Sequence, residues 1–234
     1  MSYGAAPTGT AADSDWSWTG GKGAIALDLV LVRDTPVEHV IGAFALESAA
    51  EFIPHPQDGK PFEYAVHDER LGAVSVAWIR AGRAGDWVFA VSPSLTEILG
   101  AASLAPVIDA VRELSRGAAS ILNTWTPTID AFRYFEDGVP VTCFEPLRSY
   151  DRRGSDPDRF AAAMRQAGLA VDPGETCARD RDPGRDVRIR ALEMLTLALG
   201  IRVPAELACG PLPTIQHRGP VARTAPSADR PPPV

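Results

Sequence analysis

Residues 131–145 read AFRYFEDGVPVTCFE, two stretches of strand-forming residues on either side of Asp137 and Gly138. An Asp-Gly pair in this position is typical of a two-residue hairpin turn, because both central residues of that turn adopt positive φ. The segment therefore predicts two antiparallel strands, over residues 131–136 and 139–145.

A second hairpin is expected upstream of the first. Residues 73–80 and 86–92 have the composition of strands, and the glycine-containing segment AGRAG at 81–85 joins them. Two further strands are expected, one over the apolar residues 24–32 and one over 118–124. Because hairpins pair their strands antiparallel, we predict a mainly antiparallel sheet of about five to six strands.

Helical segments separate and follow these strands. Thr35 and Glu38 have the spacing of a capping box, and apolar residues recur at helical spacing from Val37 to Phe44. Three longer helices are expected, from a cap at Ser103 to Gly117, from a cap at Asp156 to Gly168, and from a cap at Asp186 to Gly200, with a short one after Pro204. This order predicts an α+β fold, in which helices cover the sheet and the C-terminal third is helical.

We expect a single folded domain over residues 15–210. Residues 1–14 are small and polar and residues 211–234 are rich in proline, so both are predicted to be disordered tails. Residues 46–70 contain three prolines and an Asp-Gly pair and are interpreted as a long loop or insertion. Long loops of this kind often carry function.

The composition excludes several classes of protein. The 23 basic residues are outnumbered by 30 acidic residues, and a net charge of −7 disfavours a nucleic-acid binder. The longest apolar stretch, residues 24–32, is far shorter than the roughly 20 residues that cross a bilayer as a helix. The N-terminal residues lack the pattern of a secretory signal. These features predict a cytoplasmic protein that contacts neither nucleic acid nor membrane.

The sequence contains no recognised motif for a cofactor, a metal or covalent catalysis. The glycines before the first strand do not match a P-loop, the four histidines never have metal-binding spacing, and no GxSxG elbow is present. Cys143, Cys177 and Cys209 lie far apart, which predicts reduced thiols rather than a disulfide framework or a zinc site. We therefore expect no cofactor and no metal, and we favour a protein without enzymatic activity.

Several segments together resemble an uncharacterised actinobacterial family that is known only as a domain of unknown function. The resemblance covers nearly the whole predicted domain. It rests on an early tryptophan (Trp16 or Trp18), Leu29–Arg33, Trp87–Val91, Glu113–Gly117, Phe132–Gly138, Phe144–Pro146, Gly154–Asp158 and Ala191–Gly200. Relatives tend to carry an acidic residue where this chain has Ser92, and a second asparagine near Asn123 where it has Trp125. The resemblance implies no established activity, but it directs attention to these three positions.

The segment after the last predicted strand is rich in arginine and contains a tyrosine. Arginine and aromatic residues dominate the energetics of protein interfaces, so a surface that also exposed Trp125 would be a protein-binding patch. The candidate interaction or polar residues are therefore Ser92, Asn123, Trp125, Arg148, Tyr150, Arg152 and Arg153.

The favoured interpretation of function is a non-enzymatic cytoplasmic module that binds another protein, for example as an immunity-type protein. One alternative is a small hydrolase-like enzyme whose site combines distant residues such as His67, Asn123 and Cys143. Another is a structural or regulatory subunit of a larger complex, with contacts made by the Pro-rich tail and by residues 148–159. Fold alone does not choose between them.

Overall fold

The computed structural model describes nine ranges of the chain: 16–20, 27–44, 50–53, 74–92, 95–99, 103–125, 130–175, 187–208 and 210–220. The strands in these ranges are β1 (Leu27–Arg33), β2 (Ala50–Ile53), β3 (Val74–Ala84), β4 (Trp87–Ser92), β5 (Ala119–Trp125), β6 (Asp130–Glu136), β7 (Val139–Phe144) and β8 (Thr214–Pro220). The helices are α1 (Val37–Phe44), α2 (Leu95–Ile98), α3 (Ala105–Leu114), α4 (Ala161–Ala167), α5 (Val187–Leu199) and α6 (Ala205–Ala208).

The eight strands form one sheet in the order β2-β8-β3-β4-β1-β5-β6-β7. Every pairing is antiparallel, which confirms the predicted α+β class with an antiparallel sheet covered by helices. The sheet has more strands than the expected five to six, because β2 lies in the predicted loop at 46–70 and β8 lies in the predicted tail at 211–234. Residues 221–234 and 1–14 lie outside the described residues, as does most of the 46–70 segment.

Strand β8 corrects the prediction that the folded chain ends at residue 210. It pairs with β2 on one side and β3 on the other, so partners distant in sequence satisfy its backbone groups on both sides. Ile215 is buried within the strand and Leu212 is buried just before it. Because this region is rich in proline, its composition does not indicate the short strand.

Helices pack on both faces of the sheet and make three layers. On one face, which we call the α1–α3 face, the apolar sides of α1 and α3 cover residues such as Val30 and Leu122. On the opposite face, which we call the α4–α6 face, α4, α5 and α6 cover residues such as Leu29 and Phe132. Strands with both faces covered form nearly continuous apolar runs, and the six residues 27–32 are buried accordingly.

The early tryptophans belong to the α4–α6 face. The Trp16 indole donates a hydrogen bond to the Thr196 hydroxyl at 2.9 Å, and the Trp18 indole donates to the Val203 carbonyl at 2.6 Å. Both rings are buried, and their polar N–H groups have acceptors, as buried indoles require. The two rings therefore hold the first described residues against the C-terminal helices.

The turn between β6 and β7 is the predicted Asp-Gly hairpin. Asp137 and Gly138 have φ values of 47° and 76°, the positive pair that this turn requires. In contrast, the predicted five-residue connection at 81–85 is wrong, because β3 continues to Ala84 and only Gly85 and Asp86 form the turn. Gly82 lies inside β3, where a Cβ atom would approach Phe89 and Leu212 to within 2.9 Å. The glycine there permits close packing and does not mark a turn.

Two predicted helix caps are also wrong. Helix α3 begins after Leu104 rather than Ser103, with proline in its first turn and no side-chain cap. Helix α4 begins only at Ala161, because the backbone of Asp156 is already hydrogen-bonded to Val141 at the edge of the sheet. The helix ends at Gly168 and Gly200 are as predicted, each with a positive φ.

The outer edge of β7 is covered by residues 153–156. Arg153 exchanges two backbone hydrogen bonds with Cys143, of 2.7 and 2.9 Å, and Ser155 donates to Pro140. Gly154 lies between them with a φ of 130°, and a Cβ atom there would lie 2.2 Å from the Val141 carbonyl oxygen. This segment removes an exposed sheet edge and fixes the start of the loop that precedes α4.

In the part of the chain described here, no helix is both long and apolar enough to cross a membrane.

The close approach at Gly154 predicts a strong effect of substitution. Gly154→Ala is expected to lower the free energy of unfolding by about 2–4 kcal/mol, because a positive φ and a clash with backbone atoms both act against alanine. Guanidinium unfolding followed by circular dichroism measures the change. Gly42→Ala is the matched control, since Gly42 is exposed in α1 with no atom within 4 Å of the added Cβ, and it is expected to stabilise by about 0.5–1 kcal/mol. Equal effects of the two substitutions would contradict this account.

Candidate functional site

Three of the predicted residues lie at the ends of β4 and β5 and are buried. Ser92 and Asn123 are almost completely inaccessible, and Trp125 is 2% exposed. The Arg188 guanidinium lies over the Trp125 ring, 5.6 Å from its centroid. Trp125 is therefore part of the core on the α4–α6 face, and the alternative of a patch that exposes it beside the arginine-rich segment is excluded.

The same strand ends hold a buried carboxyl group that the sequence analysis did not select. Asp28 on β1 lies directly opposite Ser92 on β4 and opposite Thr124 on β5. Strand alternation places these three side chains together on the α1–α3 face. Asp28 Oδ2 accepts a hydrogen bond of 2.7 Å from the backbone N–H of Leu95, the first residue of α2. A lone aspartate inside an otherwise apolar strand was the signal that could have found it.

Burial decides the protonation of Asp28. Desolvation raises the pKa of the carboxyl group, and the Leu95 N–H and the Thr124 side chain only partly oppose this shift. The Oδ1 atom has no hydrogen-bond partner among the described residues. Burial thus favours the neutral form of the Asp28 carboxyl group.

Asn123 does not belong to this cluster. It pairs with Leu29 and with Phe132, and its side chain lies on the α4–α6 face. Cys143 pairs with Arg133 on β6 and lies on the other face. The sheet therefore separates two of the three residues named for a hydrolase-like site, and the third, His67, lies outside the described residues.

A cleft of about 450 Å³ opens at the ends of β6 and β7, beside the loop that follows β7. Two predicted residues, Arg148 and Arg153, lie in its wall. Arg133, which no sequence motif marks, also lines the cleft. Among the described residues, the lining consists of Asp130, Ala131, Phe132, Arg133, Cys143, Phe144, Glu145, Arg148, Asp151 and Arg153.

Arg133 and Cys143 are a cross-strand pair in this cleft. Burial lowers the pKa of the Arg133 guanidinium and raises the pKa of the Cys143 thiol, while each group partly opposes the shift of the other. The thiol is therefore held toward its unreactive protonated form. The Nη1 atom of Arg133 is buried and has no hydrogen-bond acceptor among the described residues.

The other two predicted residues of the loop have different roles. Arg152 is turned inward, with a side chain 8% exposed, and donates to the carbonyl oxygens of Ser149 and Val171 at 2.8 and 2.7 Å. It also pairs with Asp158 at 2.6 Å. Tyr150 is 41% exposed. Arg152 thus anchors the loop, and its neighbours form the surface.

The described residues contain no group of three or more histidine, cysteine, aspartate or glutamate side chains that could hold a metal ion. The described residues offer instead the buried Asp28 carboxyl group and an open cleft that is lined by Arg133.

These features define the class of protein: an α+β domain with an antiparallel sheet between two helical layers and a charged cleft at one end of the sheet. The chain belongs to a family of unknown function, DUF6461, whose model matches residues 8–208. It has no match among curated proteins and none among solved structures. The family assignment agrees with the resemblance to a domain of unknown function.

The contacts of Arg152 predict a structural role. Arg152→Ala is expected to lower the free energy of unfolding by about 2–3 kcal/mol, because two carbonyl oxygens lose a charged donor and only the exposed Asp158 regains water. Arg153→Ala is the adjacent control, since that side chain is 80% exposed, and its effect should stay within about 0.5 kcal/mol. Urea denaturation of both variants makes the comparison, and similar losses would contradict the inward role of Arg152.

The raised pKa of Asp28 predicts a pH-dependent effect. The unfolded chain releases this proton near the ordinary value of 3.8, whereas the folded protein retains it to a higher pH. Wild-type stability therefore falls as the pH rises from 3.8 through the folded pKa, and the neutral Asp28→Asn variant escapes this loss. We expect the variant to gain stability relative to wild type between pH 4 and pH 7 in guanidinium unfolding. A constant difference between Asp28→Asn and wild type across this pH range would refute the assignment.

Proposed function

We propose that the protein acts by binding another protein through the loop after β7, and that it has no catalytic role of its own. The observation that carries the proposal is an ordered loop that presents Leu147 and Tyr150 to solvent, 49% and 41% exposed, in a segment that also contains Arg148 and Arg153. Tyrosine and arginine are enriched among the residues that contribute most to binding energy at interfaces.

The rigidity of this loop supports the proposal. Pro146–Arg148 form a 3-10 turn, and the Ser149 hydroxyl donates a hydrogen bond of 2.6 Å to the Ala170 carbonyl. Arg152 fastens the following residues from the inside, and Arg153 pairs with the edge of β7. A surface that is already ordered loses little conformational entropy on binding, which favours affinity.

The chemistry of the loop indicates the partner. Leu147 and Tyr150 provide an apolar centre, and Arg148 provides positive charge at its margin, whereas the charge of Arg153 is paired with Asp151. The complementary surface is a protein with an apolar pocket or ridge bordered by acidic side chains. An immunity-type role, in which the module holds its partner inactive, is one form of this function.

A cytoplasmic setting is part of the same proposal. An actinobacterial source is also proposed. It is supported by the dominance of arginine, since Lys22 and Lys60 are the only lysines among 23 basic residues.

Exchange of the two exposed apolar residues tests the function. The tagged full chain and its Leu147→Ser/Tyr150→Ala variant are used to isolate partners from the native cell extract, and recovery is measured by quantitative mass spectrometry. A stoichiometric partner is expected with the wild type, and purified components should then show binding weaker by about thirtyfold in the variant, as for loss of an interface centre worth about 2 kcal/mol.

The control for this test is Leu197→Ser, which removes an equally exposed leucine, 44% accessible, from α5. The control should retain the partner. Recovery of no stoichiometric partner, or equal retention by the loop variant, would refute the proposal. Circular dichroism of all three proteins excludes unfolding as the cause.

A further inference from the structure

We infer that the cleft at the ends of β6 and β7 is a binding site for a small organic monocarboxylate, with Arg133 as the group that recognises the ligand. This inference goes beyond the proposed function, because it concerns a small molecule in the cleft and not the exposed Leu147 and Tyr150.

The first observation is the electrostatic state of Arg133. Arg133 is half-buried, and its Nη1 atom is inaccessible and lacks an acceptor among the described residues. Buried polar groups in folded proteins nearly always have hydrogen-bond partners, and an unpaired buried charge is more costly than an unpaired neutral group. The two strands nevertheless hold this side chain in place opposite Cys143. An anionic ligand in the cleft would lie beside Arg133 and offset its positive charge.

The second observation is the volume beside Arg133. The cleft of about 450 Å³ lies within the range of roughly 300–1,000 Å³ that is usual for small-molecule sites. The planar guanidinium donates two parallel N–H groups, which match the two oxygens of a carboxylate. The space exceeds what a carboxylate alone would fill, so the ligand carries an organic group in addition.

The charges of the residues that line the cleft favour a ligand with a single negative charge. Asp151 pairs with Arg153 at 3.3 Å, and Asp130 pairs with Arg188, which lies outside the lining, at 3.6 Å. The remaining charged residues of the lining are Arg133, Arg148 and Glu145, which leave an excess of one positive charge. A monocarboxylate balances this excess. A phosphate dianion would overcompensate it, close to three carboxylates.

Fluorine NMR titration tests the inference with two monocarboxylates of different size, fluoroacetate and 4-fluorobenzoate, added to the full chain. We expect saturable binding of at least one, and none of the neutral 4-fluorobenzamide. Arg133→Met should weaken binding by about ten- to a hundredfold, as expected for loss of charge-assisted hydrogen bonds. Arg133→Lys keeps the charge without the planar fork and should give an intermediate affinity.

Two further measurements locate the ligand and define its charge. Bound carboxylate should slow the alkylation of Cys143 by N-ethylmaleimide, because this thiol lines the same cleft. Peptide mass spectrometry measures the extent of alkylation at Cys143. Inorganic phosphate should not displace the carboxylate. Arg116→Met is the control, since Arg116 is exposed and pairs with Glu113 away from the cleft, and it should bind like the wild type.

Three results would overturn the inference: no saturable binding of either carboxylate, equal binding by folded Arg133→Met, or displacement by phosphate at the same concentration. The Leu147→Ser/Tyr150→Ala variant should still bind the carboxylate. Failure of the protein-binding proposal and failure of the ligand site are therefore distinguishable.

Discussion

The whole arrangement depends on the burial of β1 from four directions. Its backbone is hydrogen-bonded to β4 and to β5, and its side chains are covered by α1 and α3 on one face and by the C-terminal helices on the other. Each buried aliphatic side chain of this strand contributes about 1.5–3 kcal/mol relative to exposure. A slip of one residue in its pairing would exchange the two faces and bring Asp28 against the opposite helical layer. The pairing register of β1 therefore determines which of its side chains enter the core on each face of the sheet.

The two faces of the sheet have different characters. On the α4–α6 face, Phe132 stacks on Phe144 at 4.7 Å, and Phe160 packs edge-on against Phe132 and Tyr134. The opposite face carries both Asp28 and Arg133, whose burial opposes ionisation and therefore acts against stability. Residues that lower the stability of the fold are typical of functional sites, where proteins depart from the rules that favour folding. Aromatic packing on the α4–α6 face stabilises the fold and offsets the cost of burying these polar groups.

Sequence patterns correctly predicted the turns and helix ends that depend only on neighbouring residues. The Asp137-Gly138 turn, helix α1 with its capping-box spacing, and the glycine ends of α4 and α5 are determined by residues within a few positions of each other. Strands β2 and β8 depend on pairing between distant segments, and Gly82 depends on contact with Phe89 and Leu212. The same distinction applies to the site. The arginine-rich composition indicated Arg148 and Arg153. The roles of Asp28 and Arg133 follow from their burial, which local sequence does not show. Arg152 is not a surface residue, because its side chain donates to the carbonyl oxygen of the distant Val171.

The position of β8 has a consequence for biosynthesis. It lies inside the sheet order, between β2 and β3, although ribosomes make it more than a hundred residues after both strands. Until residue 220 has emerged, β2 has no neighbour in the sheet and the outer edge of β3 is unpaired, while the β4-β1-β5-β6-β7 part already has its partners. An unpaired strand edge is a point of entry for other nascent chains, so slow synthesis lengthens the period in which this protein is open to misassembly. The last strand to be synthesised both completes the sheet and ends that exposure.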